Sequence, residues 1–145
     1  MQFKILTRLA AGLMLFHMAG HTMGMLTWKQ VETPAQQSVV ASMTDNQFRF
    51  MGTLHSYGEY FTGFGYACTV YMILVICLLW LSGKFDQQNP AIAKTLVLLT
   101  GLSLVVWSIL EWIYFFPLAA GMTTLASIFC LAATVIGPKK AETVL

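Results

Sequence analysis

Lys94-Thr-Leu-Val-Leu-Leu-Thr-Gly-Leu-Ser-Leu-Val-Val-Trp-Ser-Ile-Leu-Glu111-Trp-Ile-Tyr-Phe-Phe116-Pro117 decides the class of this chain. The run from Lys94 to Phe116 exceeds the roughly 20 residues that an α-helix needs to cross the hydrocarbon of a bilayer. Between its ends the one charged side chain is Glu111. Pro117 cannot continue a helix that it follows, so the run stops there.

Working outward, three further stretches have the same character: residues 6–27, 57–82 and 118–136. The last ends at Gly137-Pro138, a common helix stop. Composition agrees. The 145 residues are 57% hydrophobic and 10% charged, whereas a soluble domain is about 45–50% apolar and about 25% charged. So few charges cannot keep so apolar a surface in water, which excludes a soluble enzyme. A net charge of +2 is too small for a nucleic-acid footprint. The expected fold is a single all-α domain over residues 1–145, an integral membrane four-helix bundle spanning at 6–27, 57–82, 94–116 and 118–136.

The connections are unequal. Spans three and four meet almost directly at Pro117, so they form an antiparallel hairpin. The segment 28–56 is long and holds most of the polar residues. In it Thr33-Pro34 reads as an N-cap followed by a first-turn proline. Val39, Val40, Met43 and Phe48 follow at helical spacing, which suggests a short amphipathic helix lying at the membrane surface.

Basic residues set the orientation. With the N-terminus inside, the cytoplasmic side holds Lys4, Arg8, Lys84, Lys94, Lys139 and Lys140, and the opposite side only Lys29 and Arg49. Both termini are therefore expected in the cytoplasm and segment 28–56 outside. The apolar run after Arg8 continues to Trp28 without an Ala-x-Ala cleavage site, so it reads as a retained helix and not a signal peptide. Cys68, Cys77 and Cys130 form an odd set without metal or redox spacing and read as packing residues.

This orientation gives depth to each ionisable residue. Counting from Trp28 as the outer edge, His21 lies about 10 Å and His17 about 16 Å into the membrane, and Glu111 lies about 8 Å below Phe116. His17 and His21 share a helix face with Gly20 and Gly24, a spacing that permits close helix approach. A carboxylate in hydrocarbon is costly unless paired or protonated. The matching depths point to a Glu111–His21 pair. Imidazole and carboxylate also make His17, His21 and Glu111 candidate metal ligands.

The segment His55-Ser-Tyr-Gly-Glu-Tyr-Phe-Thr-Gly-Phe-Gly-Tyr66 is the least generic in the chain. Tyr57, Tyr60 and Tyr66 suit a membrane interface. They could wall an outward-facing pocket, with His55 and Glu59 at its mouth and His21 and Glu111 at its floor. Such a pocket would take an amphiphile, a lipid head group or a quinone-like ring.

The sequence Thr33-Pro-Ala-Gln-Gln37, then Phe48-Arg-Phe-Met-Gly52, the tyrosine-rich start of the second span, Gly63-Phe-Gly65 and the Leu-Leu-Trp80 exit resemble an uncharacterised family of small four-helix bacterial integral membrane proteins. The resemblance covers most of the chain. It implies the fold and a bacterial cytoplasmic membrane, and it assigns no activity or catalytic residue.

The leading functional expectation is a non-enzymatic membrane module that binds a lipid-like ligand, or a partner membrane protein or second copy of itself, at its outer half. It needs no cofactor and no nucleic acid. The alternative is a metal- or haem-dependent redox protein using His17, His21 and Glu111. A second alternative is a proton-coupled carrier with Glu111 as the titrating group.

Overall fold

A computed structural model describes residues 2–138; the Lys139 and Lys140 that entered the orientation count lie outside them. Among the described residues there are five helices and one two-stranded sheet: α1 Gln2–Thr27, α2 Pro34–Asp45, β1 Gln47–Phe50, β2 Thr53–Ser56, α3 Tyr57–Phe85, α4 Pro90–Tyr114 and α5 Pro117–Ile136. Helices α1, α3, α4 and α5 are each long and apolar enough to cross a membrane. These helices coincide with the four expected stretches, with α1 and α4 each starting four residues earlier, α4 ending two residues sooner and α3 running three residues further. The described residues divide into two compact units, 2–18 with 72–138, and 19–71.

In the first unit, proline sets both helix starts. Pro90 and Pro117 occupy the first turns of α4 and α5, where a missing N–H costs nothing. Phe115 and Phe116, both extended, are the entire link between the two helices. The facing surfaces are built from small residues at heptad-like spacing. On α4 these include Ala93, Val97, Thr100, Gly101, Leu104 and Ser108; on α5 they include Ala119, Ala120, Thr123, Ala126, Ser127, Cys130 and Ala133. Small residues let backbones approach, the usual basis of helix association in lipid. At Gly101 the approach is so close that a Cβ would stand 2.9 Å from Cys130 Cβ.

Three of the buried hydroxyls cost little because they donate within their own helices, whereas Ser82 Oγ is buried without a partner among the described residues. Ser108 bonds the carbonyl of Val105 at 2.9 Å, Ser127 that of Thr124 at 2.7 Å and Thr134 that of Leu131 at 2.7 Å. Phe3, Met14, Met72, Val75, Leu79, Val97 and Leu104 fill the core. A Cβ at Gly83 would lie 2.8 Å from Thr7 Oγ1, and the Arg8 guanidinium lies over the Trp80 ring at 4.7 Å. The remaining faces expose Leu9, Leu15, Phe16, Leu99, Val106, Ile109 and Ile128. An apolar exterior around a core of small and polar residues is the pattern of a protein solvated by lipid.

The second unit is made by residues 19–71. Its α2 is the short helix expected from Thr33-Pro34. Thr33 caps it and Gln36 returns the hydrogen bond to the Thr33 backbone, a complete capping box. The helix buries no residue fully, as suits a surface element. Phe48 does not belong to it. It lies on β1, which pairs antiparallel with β2 so that Phe48 faces His55 and Phe50 faces Thr53. The two-residue turn has positive φ at both Met51 (48°) and Gly52 (89°), the backbone that matches the twist of a tight hairpin.

Close packing in this unit falls on Gly58 and Gly65. A Cβ on Gly58 would meet Thr44 Cγ2 and Trp28 Cη2, both at 3.1 Å, and one on Gly65 would collide with Met25 Cγ. The expected packing face of Gly20 and Gly24 is not used this way: a Cβ at either meets nothing within 4 Å. Bulk from the partner helix, here Met25, decides where glycine is needed, and spacing along α1 alone does not reveal it.

Candidate functional site

Two polar constellations stand apart from the hydrocarbon-like remainder. The first is in the core of the 2–18/72–138 unit. Glu111 on α4 is 4% exposed and His17 on α1 is 8% exposed. His17 Nε2 lies 3.4 Å from Glu111 Oε1. The same oxygen accepts a hydrogen bond from Trp107 Nε1–H, one turn earlier on α4. The other ring nitrogen, His17 Nδ1, is 3.0 Å from the Oγ1 of Thr123 on α5, which is fully buried. One carboxylate oxygen thus accepts the Trp107 N–H and faces an imidazole nitrogen, and the imidazole joins three helices. Glu111 Oε2 is buried without a hydrogen-bond partner among the described residues.

The partner of Glu111 is therefore His17, one helical turn from the expected His21. The depth count placed both helices on a common outer edge and so erred by that turn. His21 has a different role. Its Nε2 is 3.1 Å from the Gly65 carbonyl, and because a carbonyl only accepts, Nε2 carries the hydrogen. Thr69 Oγ1 donates to the same carbonyl at 3.1 Å. With Thr22 and Thr69 hydroxyls 3.4 Å apart, these bonds fasten α1 to α3 at the glycine crossing. Among the described residues no three of His, Cys, Asp and Glu converge as a metal would require. Both His17 nitrogens already face protein groups.

The second constellation is in the 19–71 unit, at the start of α3. Ser56 and Glu59 form a reciprocal cap: Ser56 N donates to Glu59 Oε2 at 2.8 Å, and Glu59 N donates to Ser56 Oγ at 3.2 Å. Ser-x-x-Glu is a capping box, so Glu59, expected as a pocket group, also holds the start of α3. His55 Nδ1 stands 3.3 Å from the same Glu59 oxygen, and both side chains remain about half exposed.

The hairpin register brings Phe48 and His55 side by side over α3. Phe48 packs against Tyr57 at 4.7 Å between centroids and stacks near Tyr60 at 5.8 Å, while the His55 ring meets Tyr60 edge-on at 5.6 Å. Below them a cleft of about 430 Å³ is lined by His55, Glu59, Tyr60, Gly63, Phe64 and Ala67. His55, Glu59 and Tyr60 line it, and His21 and Glu111 do not. The inner wall is apolar, in place of the polar floor anticipated.

Trp107, Thr123 and Ser56 complete these sites although nothing in the sequence singles them out, and Phe48, expected on the surface helix, joins them from a strand. Trp107 carried the i, i+4 spacing to Glu111, whereas Thr123 resembled every other small residue on α5. No known protein family, curated protein or solved structure matches the chain.

Proposed function

We propose that this chain is a multi-pass protein of the bacterial cytoplasmic membrane, with both termini cytoplasmic and segment 28–56 external, that acts as a non-enzymatic module binding a membrane amphiphile. The amphiphile's head group rests at His55, Glu59 and Tyr60, and its chain lies along Gly63, Phe64 and Ala67. One observation carries this reading. The cleft is polar at one end and apolar at the other, along a helix able to cross the bilayer. Its volume falls within the usual range for small-molecule sites. Glycine at position 63 keeps the groove open, since a Cβ there meets nothing within 4 Å. The orientation rests on the distribution of Lys and Arg.

Photo-crosslinking tests it. A photoreactive residue replacing Phe64 in the full-length protein, expressed in bacterial membranes, is expected to capture lipid at least about tenfold more than one replacing Ile109, an exposed α4 position. Gly63→Leu should abolish the excess by filling the groove. Equal capture at the two positions would reject a specific site, and crosslinks to protein alone would replace the amphiphile with a partner chain.

A further inference from the structure

We propose that Glu111, His17 and Thr123 form a proton-binding site inside the membrane-spanning core, in which the carboxyl and the imidazole share one proton. The amphiphile reading does not involve these residues, so the inference is independent of it. Three observations support it: both ionisable groups are more than nine-tenths buried, they face each other at 3.4 Å, and Glu111 Oε2 is buried with no partner.

Hydrogen-bond chemistry defines where the proton sits. Glu111 Oε1 receives Trp107 Nε1–H and faces His17 Nε2, so Nε2–H is retained and Oε1 remains an acceptor. The proton in question then occupies one of two places. On His17 Nδ1 it gives an imidazolium donating to Thr123 Oγ1, beside a carboxylate. On Glu111 Oε2 it gives a carboxylic acid beside a neutral imidazole, and the Thr123 hydroxyl turns to donate to Nδ1. Each arrangement has zero net charge, and a hydroxyl serves both because it donates and accepts. Removing the proton leaves a lone carboxylate, and adding a second leaves a lone imidazolium. Both charged states are disfavoured where water is scarce.

The groups recorded against the pair are Trp107 from α4 and Thr123 from α5. Neither ionises near neutral pH. A proton gained or lost here changes the net charge of the interior by one. That is the elementary event by which a membrane protein couples to pH or to a proton gradient.

The test needs Glu111 to report alone. The chain has four glutamates, Glu32, Glu59, Glu111 and Glu142. Full-length E32Q/E59Q/E142Q in nanodiscs, with carbon-13 in the Glu carboxyl and nitrogen-15 in histidine, leaves Glu111 as the single carboxyl signal. Gln at 59 still supports the α3 cap. The expected result is that the Glu111 carboxyl and His17 Nδ1 signals shift together at one common pH midpoint, because loss of the single shared proton removes both arrangements at once. Thr123→Val should displace this midpoint by about one pH unit, a tenfold change in proton affinity, and Thr123→Ser should restore it. A Glu111 signal fixed at every pH at which the protein stays folded would overturn the proposal. So would separate midpoints for the two residues.

Discussion

His17 Nε2 and Glu111 Oε1 stand 3.4 Å apart with both side chains nearly sealed from the exterior, and they join the first helix to the third of the long apolar helices. Breaking a buried pair by removing one member typically costs about 3–5 kcal/mol, because the survivor is left uncompensated. Glu111→Leu or His17→Leu alone is expected to destabilise the protein on that scale. The double variant should cost less than the sum by about 0.5–3 kcal/mol. Reversible unfolding in mixed detergent measures the cycle, and strict additivity would mean the two groups do not interact.

Glycine requirements should divide by position. Gly65→Ala places a Cβ against Met25 Cγ, and Gly101→Ala places one against Cys130 Cβ. Each is expected to cost about 1–3 kcal/mol as overpacking. Gly20→Ala and Gly24→Ala meet open space and should be neutral or stabilising by up to about 1 kcal/mol. Thermal denaturation of the four variants checks the division, which would fail if all four behaved alike.

The hairpin tip gives a third expectation. Met51 and Gly52 both have positive φ, which an L-residue with a Cβ resists and Asn-Gly accommodates. Met51→Asn should stabilise the 47–56 hairpin and Gly52→Val should loosen it. Slower or faster amide exchange at Phe48 and His55 would register the change, and identical exchange in both variants would contradict the turn.

Ser56→Ala removes one half of the α3 cap and is expected to cost about 1 kcal/mol. Glu59→Gln should preserve most of the cap while removing the charge beside His55. Comparing their unfolding midpoints separates the structural role of Glu59 from any role in ligand binding: a Gln variant as unstable as Ser56→Ala would show that the charge itself holds the helix start.

The four long apolar helices are legible in the sequence because hydrocarbon thickness leaves a coarse mark, a run of roughly 20 apolar residues. Proline marked the starts of α2 and α5 equally well. What escaped were features decided by register. Phe48 fits a helical spacing after Met43, yet the alternation Gln47 to Phe50 before Met51-Gly52 pairs it with His55 across a strand. Glu111 was recognisable as the residue needing a partner. Choosing between His17 and His21 required the relative slide of two helices, and a one-turn slide is worth only about 5 Å.

The two-residue link at Phe115 and Phe116 has a bearing on how the polar core closes. With no slack between them, α4 and α5 are tethered as one antiparallel hairpin, so Glu111 and Thr123 belong to one local piece of chain. The imidazole is the member supplied from afar, 106 residues from Thr123 in sequence, and the site is complete only where α1 is docked.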